Sequence, residues 1–404
     1  MPDTALVRAF LDDRHLALAT EVEAFAARAV APLPPPADDA AARRQARQLL
    51  ALLGAEGWLG YAVPAAWGGR WPETDLRACC LLREALAAAS PLADAVFALQ
   101  CLGSMPLALA GSEAQRGRWL PEIAAGRAMA AFAMTEPEAG SDVSAMATRA
   151  RRARHEDDGY VLDGRKVFIS NAGIADLYTV FASTSPEDGR RGLSCFLVAA
   201  GSPGLSFVGP QILSSPHPLG EIAFAECRVA TGDRVGEEGE GFSLGMRTLD
   251  RLRPTVAAAA CGMAARALAE ATAHALARRQ FGRALADFQI TQQKLAVMAT
   301  DLAAARLLVY RAAWQGDTQG AGSERASVPA AMAKAFATEA AQRIVDAALQ
   351  ILGGRGALAD HPVERLYRSV RALRIYEGTT EIQHLIIARH LLKEGAAKPA
   401  DAPA

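Results

Sequence analysis

One carboxylate near the C-terminal end of the chain stands in a setting that suits proton transfer. Glu377 is followed at once by Gly378 and two threonines in the segment RIYEGTTEIQ. A carboxylate beside a flexible glycine and two hydroxyl groups fits either a turn before a helix or a catalytic base directed into a cavity. The segment alone leaves both interpretations open.

Two other segments carry groups that suit a planar polar ligand. In MTEPEAGSD, Thr135, Ser141 and the nearby backbone amides form a concentrated set of hydrogen-bonding groups. In KVFISNAG, Phe168 has a ring that can stack on a planar group, and Ser170 has a hydroxyl that can hydrogen-bond to it. Taken alone, MTEPEAGSD is better interpreted as a capped turn and KVFISNAG as an ordinary strand end.

Two further segments bear on phosphate binding. In RRQFGR, Arg278 and Gln280 can bind phosphate or sugar, or can belong to a helix C-terminus that carries cations. The glycines of QILGGRG match neither GxGxxG after a strand nor GxxxxGK[ST]. Nicotinamide and nucleoside triphosphate sites are therefore poorly supported.

Composition narrows the class of protein. The 404 residues carry 43 Lys+Arg against 44 Asp+Glu, a formal charge of -1, which removes the usual electrostatic case for nucleic acid or anionic membrane. The six cysteines form no CxxC pair, no histidine is spaced for zinc, and Cys79 and Cys80 are expected to be buried. No secretion signal and no apolar span of membrane length is evident. We therefore expect a cytoplasmic protein in a reducing compartment.

The positioning elements change type along the chain. Amphipathic helical patterns fill residues 1–128, and short runs rich in β-branched and aromatic residues fill 129–237. Strands without intervening helices indicate an antiparallel barrel or sandwich. Long Ala-rich helical segments fill 238–404, as in a helical bundle. The segments RARRARHEDDG and STSPEDGRRG are predicted as exposed turns, and QGDTQGAGSERAS as a loop between helices.

Taken in order, these segments resemble the acyl-CoA dehydrogenase family of flavoproteins, from about residue 15 to about residue 392. The matching stretches include GWLGYAVPAAWGG, LPEIAAGRAMAAFAMTEPEAGSD, DGRKVFISNAG, ARRQFGRALADFQITQQKLA and RIYEGTTEIQHLIIARHLL. The resemblance implies an α+β, mainly α fold. Its parts are an N-terminal helical domain, a middle antiparallel β-barrel domain and a C-terminal four-helix bundle.

The resemblance also implies an FAD site and its residues. The positions that hold the flavin ring, with Ser170 close to flavin N5, are Phe132, Met134, Thr135, Ser141, Phe168 and Ser170. The positions that reach the adenine-dinucleotide part of FAD across a subunit interface are Arg278, Phe281, Gln289, Gln350, Gly353 and Gly354. Thr379 and Glu381 match further FAD contacts. Because the neighbouring subunit completes the site, a homotetramer or at least a dimer is implied.

By the same resemblance, Glu377 is the catalytic base of an α,β-dehydrogenation. It takes the α-proton of an acyl-CoA thioester while the β-hydrogen leaves as hydride to flavin N5, which gives the trans-2-enoyl-CoA. The implied substrate contacts are Ser141, Asp250, Arg253 and Gly378. Some members carry the base at the position of Leu252. This residue is apolar here, so Glu377 is the carboxylate that the resemblance implies as base.

Two departures leave the substrate open. The stretch ILSSPHPLGEIAF lacks the arginine that the family usually shows near the thioester, so the carrier can be coenzyme A or an acyl carrier protein; His217 in this stretch is interpreted as a turn residue. Ala93 replaces the arginine of decarboxylating glutaryl-type members, and Leu99 is large for a straight-chain pocket. Branched, alicyclic and aromatic acyl groups all stay open.

The resemblance implies an electron-transfer flavoprotein as the electron acceptor. An oxygen-using relative keeps the same fold and stays an alternative. A non-catalytic flavin-binding relative that binds DNA ranks last, because the balanced charges provide no basic stripe.

Overall fold

The computed structural model describes residues 2–153, 159–319 and 324–397. The helices are α1 (Asp13–Phe25), α2 (Asp39–Ala55), α3 (Leu76–Ala89), α4 (Pro91–Ala110), α5 (Glu113–Ala124), α6 (Gly241–Ala277), α7 (Gln289–Thr318), α8 (Glu324–Leu352), α9 (Pro362–Leu373) and α10 (Thr380–Ala397). The strands are β1 (Ala130–Ala133), β2 (Arg149–Arg152), β3 (Tyr160–Ser170), β4 (Leu177–Ser183), β5 (Leu193–Ala199), β6 (Leu205–Pro210), β7 (Leu219–Val229), β8 (Arg234–Val235), β9 (Arg279–Gln280) and β10 (Arg283–Ala284). The predicted order of helices, strands and helices is confirmed.

The chain divides into two compact units. The helical unit contains Met1–Arg28, Leu76–Pro91 and Arg253–Ala404, and the sheet unit contains Ala29–Asp75 and Leu92–Leu252. Each unit therefore combines segments that are distant in the sequence. The predicted domain boundaries after residues 128 and 237 stay a prediction.

In the helical unit, α8 packs against α7, α9 and α10. Small side chains such as Ala331, Ala341 and Ala348 are buried along α8, which lets neighbouring helices approach closely. The unit also buries a carboxylate, Glu84, which accepts hydrogen bonds from Arg306 at 2.7 Å and Tyr310 at 2.9 Å. Both carboxylate oxygens are thus paired, as a buried charge requires.

In the sheet unit, the main sheet has the strand order β6-β7-β3-β2-β4-β5-β8. Its core contains Tyr160, Val180, Phe196, Ile222 and Phe224. The predicted antiparallel arrangement describes most of the sheet, and two pairs differ from it, because β1 and β2 each pair with β4 in parallel. The other pairs of the main sheet are antiparallel.

Helix α4 fixes the start of β1. The Gln100 side chain donates to the Ala128 carbonyl and accepts from the Ala130 amide, both at 2.7 Å. A Cβ on Gly103 would lie 2.5 Å from the Ala130 side chain, so the helix and the strand touch at a glycine. This contact positions the residues that follow β1.

Three local predictions need correction. Residues 149–152 form β2 and are not a turn, because Ala150 is buried while the flanking arginine side chains reach solvent. The RRQFGR segment begins at the predicted helix end, since α6 ends at Ala277 and the Arg278 amide donates to the His274 carbonyl, but it continues as a hairpin in which β9 pairs with β10. The two ends of the predicted QGDTQGAGSERAS loop are helical, since α7 continues to Thr318 and α8 begins at Glu324, and residues 320–323 lie outside the described residues.

Helix α4 is long and apolar enough to cross a membrane by length and composition, which the sequence reading did not identify. However, 72% of its apolar window is buried inside the protein, as in a core helix. All six cysteines are buried and free of disulfides, which confirms the expectation for Cys79 and Cys80.

Candidate active site

Glu377 lies in a short loop, residues 374–379, between α9 and α10; we call it the glutamate loop. Its backbone is left-handed at two consecutive residues, with φ of +54° at Glu377 and +90° at Gly378. Glycine adopts this conformation freely, but at a glutamate it costs about 1–3 kcal/mol. The strain therefore has to be offset by contacts around the loop.

Those contacts hold the two carbonyl groups at the turn. The Gly378 carbonyl accepts from Lys334 Nζ at 2.7 Å and from Gln383 Nε2 at 2.9 Å. The Glu377 carbonyl accepts weaker bonds, each at 3.4 Å, from Gln383 Nε2 and from Arg253 Nε. Donors from α6, α8 and α10 thus converge on two consecutive carbonyl groups.

A second set of bonds holds the ends of the loop. Glu339 on α8 accepts from Arg374 Nε at 2.7 Å and from the Thr380 hydroxyl at 2.8 Å. The Thr380 amide also donates to the Arg374 carbonyl at 3.1 Å. Both ends of the loop are therefore tied to α8, and Glu377 lies between them.

Two of the side chains that hold the loop are charged and buried. Lys334 is fully buried and Arg253 is 3% exposed. Burial lowers the pKa of Lys334 to about 8, although the negative charge of Glu377 acts in the opposite direction. The positive charge of Arg253 also lowers this pKa. The sequence reading assigned Arg253 to substrate but missed Lys334 and Gln383; a lone lysine in the apolar run PAAMAKAFA was the available signal.

In the sheet unit, the two segments predicted to hold a flavin ring are joined. The Val167 amide donates to the Thr135 carbonyl at 3.0 Å, and Lys166 Nζ donates to the Met134 carbonyl at 3.0 Å. Lys166 also pairs with Glu136 at 2.7 Å, and burial lowers the pKa of this lysine to about 8. The end of β3 and the segment after β1 therefore form one structure.

Phe168 is turned outward by an irregularity in β3. The register against β7 shifts between Lys166 and Ile169, as in a β-bulge. Phe168 has φ of +55° and is 61% exposed, and its amide donates to the Gln211 side chain at 2.6 Å. An exposed ring on a left-handed backbone is a costly arrangement that suits contact with a ligand.

Ser170 meets a residue that the sequence reading treated as part of a turn. Its hydroxyl lies 2.8 Å from His217 Nε2. Burial lowers the pKa of His217 to about 4, with a smaller lowering by Arg43 and an opposing effect of Asp39. The imidazole is therefore neutral at pH 7 and can either donate to or accept from the serine.

The residues predicted for the adenine-dinucleotide part lie on the surface of the helical unit. Those that are exposed are Arg278, Phe281, Gln289, Gln350, Gly353 and Gly354. Phe281, at the tip of the β9–β10 hairpin, has φ of +49° and is 93% exposed. Charges on Arg355 and Arg278 both lower the pKa of His274 after the larger effect of burial, so the end of α6 lies near the turn that follows α8.

The other predicted positions are more ordinary. Thr379 Oγ1 accepts from the Ile382 amide at 3.3 Å, and the pKa of Glu381 is lowered by its own backbone amide and by the Thr379 hydroxyl, at the start of α10. Phe132 packs against Phe181, with ring centroids 4.9 Å apart. On α6, Asp250 is half-buried and Leu252 is 2% exposed.

The residues present fit a flavin dinucleotide. Within the described part of the chain, the hydroxyl groups of Thr135 and Ser141 make no hydrogen bond to protein, and nothing lies within 4 Å of a Cβ built on Gly140. Gly353 and Gly354 leave similar open space next to Arg355, which is exposed, and Arg278 is exposed as well. Hydroxyl donors with an exposed aromatic ring suit the isoalloxazine, and a cation beside glycine backbone suits a diphosphate.

Comparison with known proteins identifies the family. Models of the acyl-CoA dehydrogenase N-terminal, middle and C-terminal domains match residues 12–127, 131–227 and 239–392. The 3-(aryl)acrylate reductase of Clostridium sporogenes is 38% identical, covering 95% of this chain and 100% of that protein. The cyclohexane-1-carbonyl-CoA dehydrogenase of Geobacter metallireducens is 38% identical, covering 86% and 90%.

A solved structure, butyryl-CoA dehydrogenase from Megasphaera elsdenii, superposes with a TM-score of 0.87 at 34% identity, covering 95% of this chain and 99% of that one. The chain therefore belongs to the acyl-CoA dehydrogenase family. It is an oxidoreductase with FAD as its cofactor, which confirms the fold, the enzyme class and the cofactor predicted from the sequence.

Proposed function

We propose that the protein oxidises an acyl-CoA thioester to the trans-2-enoyl-CoA, with Glu377 as the base that takes the α-proton. The observation that carries this proposal is the glutamate loop, which holds a carboxylate on a strained backbone by donors from three helices. Strain of this kind persists where function requires it. A plain turn before α10 would need neither the left-handed glutamate nor the buried lysine.

The reaction divides between the carboxylate and its backbone. The Glu377 carboxylate accepts the α-proton, and the electron pair of that C–H bond moves toward the thioester carbonyl. The Glu377 amide donates a hydrogen bond to the carbonyl oxygen as negative charge develops there. FAD held by the residues around Phe168 and Ser170 would supply the two-electron acceptor for the β-hydrogen that leaves as hydride. Gly378, with no side chain, leaves room for the substrate beside the backbone.

The remaining assignments follow from the same family. We propose that Phe132, Met134, Thr135, Ser141, Phe168 and Ser170 hold the flavin ring and that the exposed residues around Arg278 bind FAD together with a second copy of the chain. The 93% exposed Phe281 supports such a partner, because a monomer would leave this ring in water. A cytoplasmic homotetramer or dimer in carboxylic acid degradation, with an electron-transfer flavoprotein as acceptor, is the corresponding biological proposal.

Coenzyme A is favoured over an acyl carrier protein as the thioester carrier. Curated relatives with acyl-CoA names are 36–38% identical, and solved structures with such names are 29–34% identical, against 28% for the prolyl acyl carrier protein oxidase AnaB. Relatives that act on cyclohexane-1-carbonyl-CoA and isobutyryl-CoA favour a branched or alicyclic acyl group over a long straight chain.

The test is an anaerobic screen of acyl-CoA and acyl-carrier thioesters that follows bleaching of the flavin absorbance. We expect a yellow oligomer with roughly one FAD per chain, reduced fastest by a branched or alicyclic acyl-CoA. A colourless monomer that cannot take up FAD would overturn the proposal. Rapid reoxidation of the reduced enzyme by air would assign it to the oxygen-using relatives.

A further inference from the structure

We infer that Lys334 is a positioning residue for Glu377, acting with Gln383 to keep the glutamate backbone left-handed. This inference rests on the proposed role of Glu377 as the base. Lys334 lies in the middle of α8 and Gln383 in the first turns of α10. Neither residue is among those that the family resemblance assigned to cofactor or substrate.

Burial makes the contact of Lys334 with the loop a fixed feature. The side chain is 0% exposed, so water does not solvate its ammonium group and protein atoms have to satisfy it. It donates to the Gly378 carbonyl at 2.7 Å, and no carboxylate lies within 4.0 Å of it in the described part of the chain. A lysine buried on a backbone carbonyl, without a direct ion pair, is expensive and therefore calls for a functional reason.

The same contacts determine where the carboxylate points. The Glu377 and Gly378 carbonyls are both directed toward Gln383, with Lys334 on one and Arg253 on the other. Rotation of Glu377 to a negative φ would withdraw its carbonyl from these donors. Because the amide and the side chain belong to the same residue, that rotation would displace the proton acceptor relative to the oxyanion donor.

The charge of Lys334 adds a second effect. The charged groups that act on it are Glu377 in the glutamate loop, Glu339 on its own helix, Glu381 on α10 and Arg253 on α6. Loss of the ammonium charge would remove a cation that favours the ionised form of the base. The contact and the charge of Lys334 therefore both favour an ionised Glu377 carboxylate that can accept a proton.

The test compares the FAD-loaded wild type with Lys334→Met, Gln383→Leu and a control, Arg343→Met. Arg343 lies on the same helix, but its side chain is 55% exposed and pairs with Asp301 at 2.8 Å. We expect both loop variants to retain FAD and to reduce flavin about 10- to 100-fold more slowly, as a misplaced reacting group does. The apparent Kd for substrate should change much less, and the control should match the wild type.

Two further readouts exclude a merely structural role. In the wild type, the rate of flavin reduction should change near pH 8 as Lys334 loses its proton, and Lys334→Met should lack this limb. In a crystal structure of Lys334→Met, Glu377 should leave the left-handed region or occupy two conformers. The crystallographic readout needs no substrate, so it tests the inference even if the proposed reaction is wrong.

Three results would overturn the inference. The first is flavin reduction by Lys334→Met within twofold of the wild type. The second is an unchanged, well-ordered left-handed Glu377 in its crystal structure. The third is a loss of rate that only follows loss of FAD. If no acyl thioester reduces the wild type and the loop still rearranges in the variant, the positioning role stands and the proposed reaction fails.

Discussion

Two buried lysines, one in each unit, show how the same side chain serves different ends. Lys166 and Lys334 are both fully buried, and burial lowers the pKa of each to about 8. Lys166 pairs directly with Glu136 at 2.7 Å. Lys334 instead donates to the Gly378 carbonyl, and the carboxylates that act on it do so at longer range.

The two lysines differ in whether their charge is neutralised by a carboxylate in direct contact. Both carboxylate oxygens of Glu136 are hydrogen-bonded, because the group also accepts from the amides of Ala147 and Thr148 at 2.5 and 3.0 Å. The Lys166 network is thus closed and joins the two predicted flavin segments. The charge of Lys334 has no such partner in direct contact among the described residues, so it acts on the glutamate loop.

The largest expected effect tests whether the loop that Lys334 contacts carries the catalytic base. Glu377→Gln keeps the shape of the side chain and the backbone amide but removes the proton acceptor. Loss of a general base costs about 10²–10⁴-fold, so stopped-flow flavin reduction by substrate should fall by at least that factor. FAD content and substrate binding should stay unchanged. Reduction at nearly the wild-type rate would show that Glu377 is not the base. Lys334 would then have no catalytic carboxylate to act on.

The next effect tests whether Lys166 contributes more than Lys334 to the unfolding free energy. Lys166→Met leaves Glu136 buried without its cation, and breaking a buried pair in this way costs about 3–5 kcal/mol of unfolding free energy. Lys334→Met leaves a buried carbonyl less well satisfied, which costs about 1–3 kcal/mol. Urea denaturation of the two FAD-loaded variants measures both values. Equal losses would contradict the distinction, and Lys166→Met/Glu136→Gln should recover part of the larger one.

An exposed cation provides the contrast to both lysines. Arg278→Ala should leave the unfolding free energy of the chain nearly unchanged, because surface substitutions have small effects. It should weaken FAD retention by about tenfold, the cost of one hydrogen bond to a charged group. Equilibrium dialysis and size-exclusion chromatography should show loss of FAD and loss of the oligomer together. A change in one without the other would argue against a site shared between subunits.

The smallest effect concerns pH. Because the pKa of each buried lysine is about 8 in the folded protein, below the ordinary 10.5, the unfolded chain binds more protons between these values. The contribution of each lysine to the unfolding free energy therefore rises as pH increases from 8 to 10.5. Lys334→Met should make this rise shallower in urea denaturation at pH 7.5, 8.5 and 9.5. An unchanged slope would mean that Lys334 titrates near its ordinary pKa.

Local pattern was enough to predict most elements and the candidate residues. Alternation in β3 to β7 and the apolar periodicity of the long helices identify these elements, because each element must bury one face. It failed for β2, where three arginines hide a strand whose single buried side chain is Ala150. It also did not predict the hairpin in RRQFGR after the end of α6, because two-residue strands are too short to show an alternating pattern.

By itself, the sequence determined the order of helices and strands, the family and the carboxylate in RIYEGTTEIQ, since these depend on residues close together in the chain. Only the tertiary structure decided what surrounds that carboxylate. Lys334 reaches Gly378 across 44 residues, and Ser170 reaches His217 across 47. Such pairs are set by how packed helices and strands align, and no local spacing encodes that alignment. The strain at Glu377 likewise becomes visible only with the backbone angles, because a glutamate before a glycine reads as an ordinary turn.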